Sequence, residues 1–264
     1  MQAVSVSIDR VRLAEGLREP QRLSRQLSAL LAAEIVSGRI GVGEAFPSSE
    51  EIVNRFAVSR TVARETVQAL AMLGMVNVQH GKRTEVCGPE EWDILSSVVQ
   101  EALRREGKAE PLLRDLYEFR LLIEPQAAAW MAEHAPPEDV ATLEELAARM
   151  EELARSDAGL AEVLEADRSF HDLVARASDN RVLAAVSRDI REVIGTLWDA
   201  SSLTAADAHQ VAEQHQRVAA AVAQGDAGSA AAAMREHLVW AAQADLHGLG
   251  EASKLRLRPG ATSK

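Results

Sequence analysis

The chain has 264 residues and a mass of 28.5 kDa, enough to bury a core without disulfides in one large or two smaller domains. Aromatics are 3%, alanine is abundant and there are only 15 Gly and 8 Pro, which favours helices over sheets; the lone Cys87 excludes a disulfide framework or a cysteine-built zinc finger, and no apolar run approaches the ~18 residues of a membrane span. The net charge of −11 argues against nucleic-acid binding by the whole chain, yet residues 10–86 carry 11 basic and 8 acidic side chains, against 18 and 32 in the remainder. A mildly basic segment therefore precedes a strongly acidic one, and only the first could lie along a phosphate backbone. The first twenty residues mix acids with bases and lack an apolar stretch, so they do not read as a signal peptide; a cytoplasmic, membrane-free protein is expected.

In chain order, Leu23 to Ser37 has helical spacing and stops at Gly38. After the loop 41–47, Ser48 or Ser49 with Glu51 forms an N-cap that opens a short helix to Phe56. Ala57 and Val58 make a turn, Ser59 caps a third helix to about Leu73, and Gly74 stops it. Met75–Val78, a turn at 79–82 and Arg83–Val86 read as a hairpin. Two helices joined by a short turn and followed by a hairpin make a winged helix-turn-helix, whose third helix would enter the major groove. Arg60 and Arg64 share a face of that helix, and Arg suits both guanine edges and phosphate. Ser59 and Thr61 offer hydroxyls at its N-terminus for phosphate, as does Ser49 at the start of the second helix. At the hairpin tip Gly81 permits close approach, and His80 and Lys82 could reach a minor groove. The plainer alternative is a solvated arginine face.

Past the breaker at Gly88-Pro89 the pattern is helical throughout: 91–105, 112–133, 137–155, 160–177, 181–201, 204–224 and 226–246. The expected architecture is mainly α: a winged helix-turn-helix over 20–88, a linker and connecting helix over 89–111, an all-α bundle for effector binding and dimerisation over 112–248, and a disordered basic tail over 249–264. Asp167 and His171 are four apart on one helix; His215 and His237 lie on two others. One Asp and three His facing inward could close around a divalent metal, although chance spacing and hydrogen-bonded core histidines account for the pattern as well. Arg120 is four residues before Glu124, a spacing that also fits a surface ion pair.

The stretches 46–52 (FPSSEEI), 58–65 (VSRTVARE), 69–76 (ALAMLGMV) and 79–84 (QHGKRT) resemble the DNA-binding domain of GntR-family bacterial transcription regulators. One departure stands out: where the family usually has a DNA-contacting Arg in the second helix, this chain has Glu50. From 112 to 242 the chain resembles the FCD effector domain of the FadR subfamily, through 116–128 (LYEFRLLIEPQAA), 167–171 (DRSFH), 177–183 (ASDNRVL), 218–226 (VAAAVAQGD) and 234–238 (MREHL). That resemblance implies a metal on Asp167, His171, His215 and His237, zinc for preference with Ni, Mn or Fe also allowed by the donor set, and a carboxylate-binding role for Arg120. It further implies a homodimer on a palindromic operator, probed by a small carboxylate such as a sugar acid; the stretch from Trp92 to Leu95 resembles sugar-acid-responsive members, and the metal ligands make an acyl-CoA effector the poorer choice. Asn180 is expected to cap a helix. A metal-dependent enzyme acting on a small hydroxy acid is the main alternative, and a ligand-free architectural protein a third; with no spare acid–base residue at a recognisable spacing, the expectation is a regulator and not an enzyme.

Overall fold

The computed structural model describes residues 10–79, 81–156, 160–197 and 204–248. Its contacts divide the chain into two compact units between Lys108 and Ala109. In the first unit α1 (Arg10–Ser37) precedes α2 (Ser49–Phe56), α3 (Arg60–Met72), the antiparallel strands β1 (Val76–Asn77) and β2 (Glu85–Val86), and α4 (Ser97–Arg105). The expected winged helix-turn-helix is present. Ser48 is the cap of α2 in a reciprocal box with Glu51, so the doublet resolves in favour of Ser48; Ser59 caps α3 by accepting from Val62 N at 3.2 Å. Ala57 takes a left-handed conformation (φ 52°) to turn the chain between them.

The wing is shorter than expected, with Val76 opposite Val86 and Asn77 opposite Glu85. It gains support that the sequence did not signal. The loop after α1 runs alongside β2, bridging Ala45 to Glu85 and bonding Phe46 N to Thr84 O and Val86 N to Glu44 O. Leu31, Ile52, Leu70 and Met75 are fully buried where α1, α2, α3 and the wing meet. Two helix starts differ from the periodicity by more than two residues. The first helix begins at Arg10, earlier than Leu23. The helix expected over 91–105 begins only at Ser97, because Asp93 N is bound by Leu73 O and the Trp92 indole donates to Cys87 O, after which Ser96 caps α4. A Cβ on Gly74 (φ 67°) would sit 2.0 Å from Glu91 O, so this position needs glycine for space as well as for its turn. Through Val99 and Ala102, α4 joins the core of this unit.

The second unit contains α5 (Glu110–His134), α6 (Pro137–Arg155), α7 (Leu160–Ala177), α8 (Arg181–Leu197), α9 (Ala205–Ala223) and α10 (Ala227–Gly248), with no strand among the described residues. The chief packings are α5 on α10, α6 on α9, α9 on α10 and α6 on α7. Phe170, Met131, Leu143, Met150, Met234 and Leu238 are fully buried in the common core. Burial of such side chains, at ~1.5–3 kcal/mol each, is what holds a bundle whose helix ends are mostly short local turns. Asn180 caps α8 as expected, its Oδ1 accepting from Val182 N at 3.0 Å and Leu183 N at 3.1 Å. The tail from 249, the end of the helix expected to reach 201, and His80 lie outside the described residues.

Candidate functional site

The buried face of α3 is Val62, Ala63, Thr66, Val67 and Leu70, which turns Arg60, Thr61 and Arg64 to solvent. Competition for charge separates the cations of this unit. Arg55 is held by Glu34 through two bonds of 2.9 and 2.5 Å, and Arg39 by Glu106 at 3.3 Å. Arg60 and Arg64 are exposed and enter no ion pair among the described residues, so they are available to a phosphate or a base edge. Lys82 is exposed beside Gly81 (φ 74°), whose missing side chain leaves the wing tip open. Ser59 spends one lone pair as a cap yet keeps its hydroxyl proton, and Ser49 occupies the first turn of α2. Glu50 is exposed beside it, favoured locally by the helix N-terminus while repelling phosphate.

In the second unit α7 supplies Asp167 and His171 from adjacent turns, α9 supplies His215 and α10 supplies His237; one ligand atom from each lies within 4.8 Å of all the others. Nε2 of His171 is 3.1 Å from Nε2 of His237 and 3.3 Å from Nε2 of His215. Oδ1 of Asp167 is 3.2 Å from His215 Nε2 and 3.7 Å from His171 Nε2. The outer ring nitrogens explain this orientation. His215 Nδ1 donates to Val211 O at 2.8 Å and His237 Nδ1 to Gln214 Oε1 at 3.0 Å. His171 Nδ1 lies 2.7 Å from Glu124 Oε2, an ion-pair contact too oblique for a well-formed hydrogen bond. With protons directed outward, the Nε2 lone pairs converge on one another and on a carboxylate. Phe170 sets its ring edge against His215 at 4.6 Å and blocks the apolar side.

Such a cluster of acceptors repels itself in a buried site unless a cation sits among them. Ligands ~2.0–2.2 Å from one ion stand apart by distances like those observed, so the donor set fits a metal. Electrostatics agree. Burial works to raise Asp167, but the facing histidines overcome it and hold the carboxyl far below the usual range. Burial pushes His171 and, further, His237 down, keeping the rings neutral as ligands must be.

A cavity of about 120 Å³ opens beside Asp167 and His237. Its size suits a small ligand and is well under the ~300–1,000 Å³ of drug-sized sites. Arg120 lines it, yet is also bound by Glu124 at 2.7 Å, with the two side chains only 6% and 2% exposed. The surface pair weighed for these residues is thus a buried one. Burial works to raise Glu124, but Arg120 and His171 hold it far below its ordinary value. Three further lining residues were not singled out in the sequence. Arg191 contacts Asp172, Tyr117 donates its hydroxyl to Asp245, and Arg120 stacks over the Tyr117 ring at 5.2 Å. A signal did exist: Arg191 falls on the buried stripe of α8 with Ile190, Ile194 and Leu197, and Asp245 on that of α10 with Leu238, Ala242 and Leu246.

Two family models match this chain: bacterial regulatory proteins of the gntR family over residues 23–86, and the FCD domain over 115–239. The chain belongs to the GntR family of bacterial regulatory proteins. As a GntR-family regulator with an FCD domain it is a sequence-specific DNA-binding transcription regulator, not an enzyme, and its Asp–His cluster could hold a metal. It is 27% identical over 251 residues to the transcriptional repressor NanR of Salmonella newport, covering 92% of this chain and 94% of that one. It is 27% identical over 157 residues to the galactonate operon transcriptional repressor of Escherichia coli, covering 60% of this chain and 67% of the repressor. Among solved structures, Lar of Listeria monocytogenes, which controls expression of the agr system there, superposes with a TM-score of 0.53 at 15% identity, over 85% of this chain and 96% of Lar; that likeness is one of fold. No helix among the described residues is long and apolar enough to cross a membrane.

Proposed function

We propose that this regulator is a homodimeric repressor whose hold on a palindromic operator is released by a small carboxylate, sugar acids being the leading class. The observation that carries the reading is the convergence of three histidine Nε2 atoms and one carboxylate, two of whose residues, Asp167 and His237, line a cavity that Arg120 also lines. Asp167, His171, His215 and His237 would hold a divalent metal, zinc before Ni, Mn or Fe, which supplies positive charge and an open position for a ligand oxygen. Arg120, kept rigid by Glu124 and Tyr117, presents its remaining donors to the same carboxylate. Arg60 and Arg64 read the major groove, Ser49, Ser59 and Thr61 hold phosphate, and His80, Gly81 and Lys82 form the wing contact. Two of the relatives are named as repressors, one of a galactonate operon, which supports both the sign of the response and the ligand class. A carboxylate that binds one dimer state better than the other shifts the population without remaking the fold.

Elemental analysis tests the site directly. The purified protein is expected to carry about one metal ion per chain, and His215→Ala to lose most of it while keeping its affinity for operator DNA; an unchanged metal content in His215→Ala would remove the site.

A further inference from the structure

One end of the cavity has no role in the reading above. His237 and Asp245 are eight residues apart on α10, about 12 Å along the axis, with Trp240, Ala241 and Ala244 lining the wall between them. The two ends differ chemically. At one stands the metal cluster, and Arg120 reaches both, 3.4 Å from His171 Nε2 and 5.2 Å from the Tyr117 ring. At the other, the Tyr117 hydroxyl is bonded to the Asp245 carboxyl, both groups buried. Every arginine facing the cavity already has an acid partner: Arg120 has Glu124, Arg191 has Asp172 and Arg168 has Glu165. Arg191 Nη1 is buried without a hydrogen-bond partner, 3.9 Å from Glu124 Oε1. Asp245 is the reverse case, an acid with no Lys or Arg in ion-pair contact among the described residues.

We propose that Tyr117 and Asp245 form a hydroxyl-reading subsite, which selects acids with one carboxylate and a hydroxylated tail and rejects acids with a carboxylate at each end. The inference rests on the cavity being a carboxylate site. A hydroxyl both donates and accepts, so it exchanges hydrogen bonds with the Asp245 carboxyl and the Tyr117 oxygen in turn. A second carboxylate there meets a buried acid, and the nearest cation, Arg120, is already held by Glu124, in a setting where like charges repel strongly. Burial already lifts Asp245 to about 7, so a further negative charge beside it is opposed.

The test uses full-length, metal-loaded protein at about pH 8, where Asp245 is ionised, and isothermal titration with pairs sharing one carbon skeleton: D-gluconate with D-glucarate, and D-galactonate with galactarate. In at least one pair the monoacid is expected to bind about tenfold or more tightly than the diacid. Asp245→Asn, which keeps a hydrogen-bonding group and removes the charge, should close most of that gap. Tyr117→Phe should weaken the monoacid by about tenfold, and melting curves establish that either variant is folded. Diacids binding as tightly as their monoacids, or an unchanged gap in Asp245→Asn, would overturn the subsite and leave the carboxylate reading standing. Failure of all four acids to bind would remove the carboxylate reading and the subsite with it.

Discussion

Glu124 ties Arg120 to the metal cluster through His171. It lies 2.7 Å from Arg120 Nε and 2.7 Å from His171 Nδ1, with Arg191 at 3.9 Å. Removing its charge leaves a guanidinium buried without its nearest counter-ion, so Glu124→Gln is expected to destabilise the bundle by about 3 kcal/mol. A denaturant melt would show this, and a change under ~1 kcal/mol would mean that water or Asp167 takes over the pairing. The neighbouring histidines give the metal-free protein a pH signature. Because burial pushes His171 and His237 below the ordinary ~6.5, the unfolded chain takes up protons that the fold resists; stability is full above about pH 6.5 and falls below it. Asp245 acts oppositely. Its folded value of about 7 lies above the unfolded one, so below pH 7 the fold keeps a proton that the unfolded chain gives up, which offsets part of the histidine loss. Melting temperature should therefore decline from about pH 7 to 5.5, and decline more steeply in Asp245→Asn. Equal slopes in the two proteins would contradict the assignment of that buried acid.

At the scale of the element, α3 shows why some of this fold is legible in sequence. Its cap at Ser59, its stop at Gly74 and the alternation of buried and exposed positions are local, and each is visible within a few residues. The consequence is testable: Arg64→Ala should weaken operator binding by ~1–3 kcal/mol in an anisotropy titration, and no loss would take Arg64 out of the interface. The start of α4 was not legible. Periodicity carries a helix back to 91, but Asp93 and Trp92 are committed to Leu73 and Cys87, contacts that only the folded wing brings together. The metal ligands were half legible. The Asp-x-x-x-His spacing places two donors on one face of α7, whereas the convergence of α9 and α10 is tertiary. Arg191 and Asp245 were missed for a related reason: a charge on an apolar stripe reads as solvated until the partners across the cavity are known. The loop strand at Ala45 has no sequence signal at all, because its pairing is with the far side of the wing.

For the whole molecule, the decisive asymmetry is that of charge. Of the two domains only the winged helix has a basic excess, and within it intramolecular pairs withdraw Arg39 and Arg55 and leave Arg60, Arg64 and Lys82 at the surface. The bundle is acidic outside, yet gathers three arginines around one small cavity next to its only cluster of metal-ligating groups among the described residues. One unit thus suits DNA and the other a small anion, and in the homodimer we propose, linkage makes a ligand that favours one state of the dimer alter occupancy of the operator. The most direct measurement is fluorescence anisotropy of the metal-loaded protein on its own upstream DNA while sugar acids are added. We predict tight binding that a sugar acid releases, with the release lost in Asp167→Ala and Arg120→Ala. Tight binding that no carboxylate moves, or release that persists in both variants, would contradict the account.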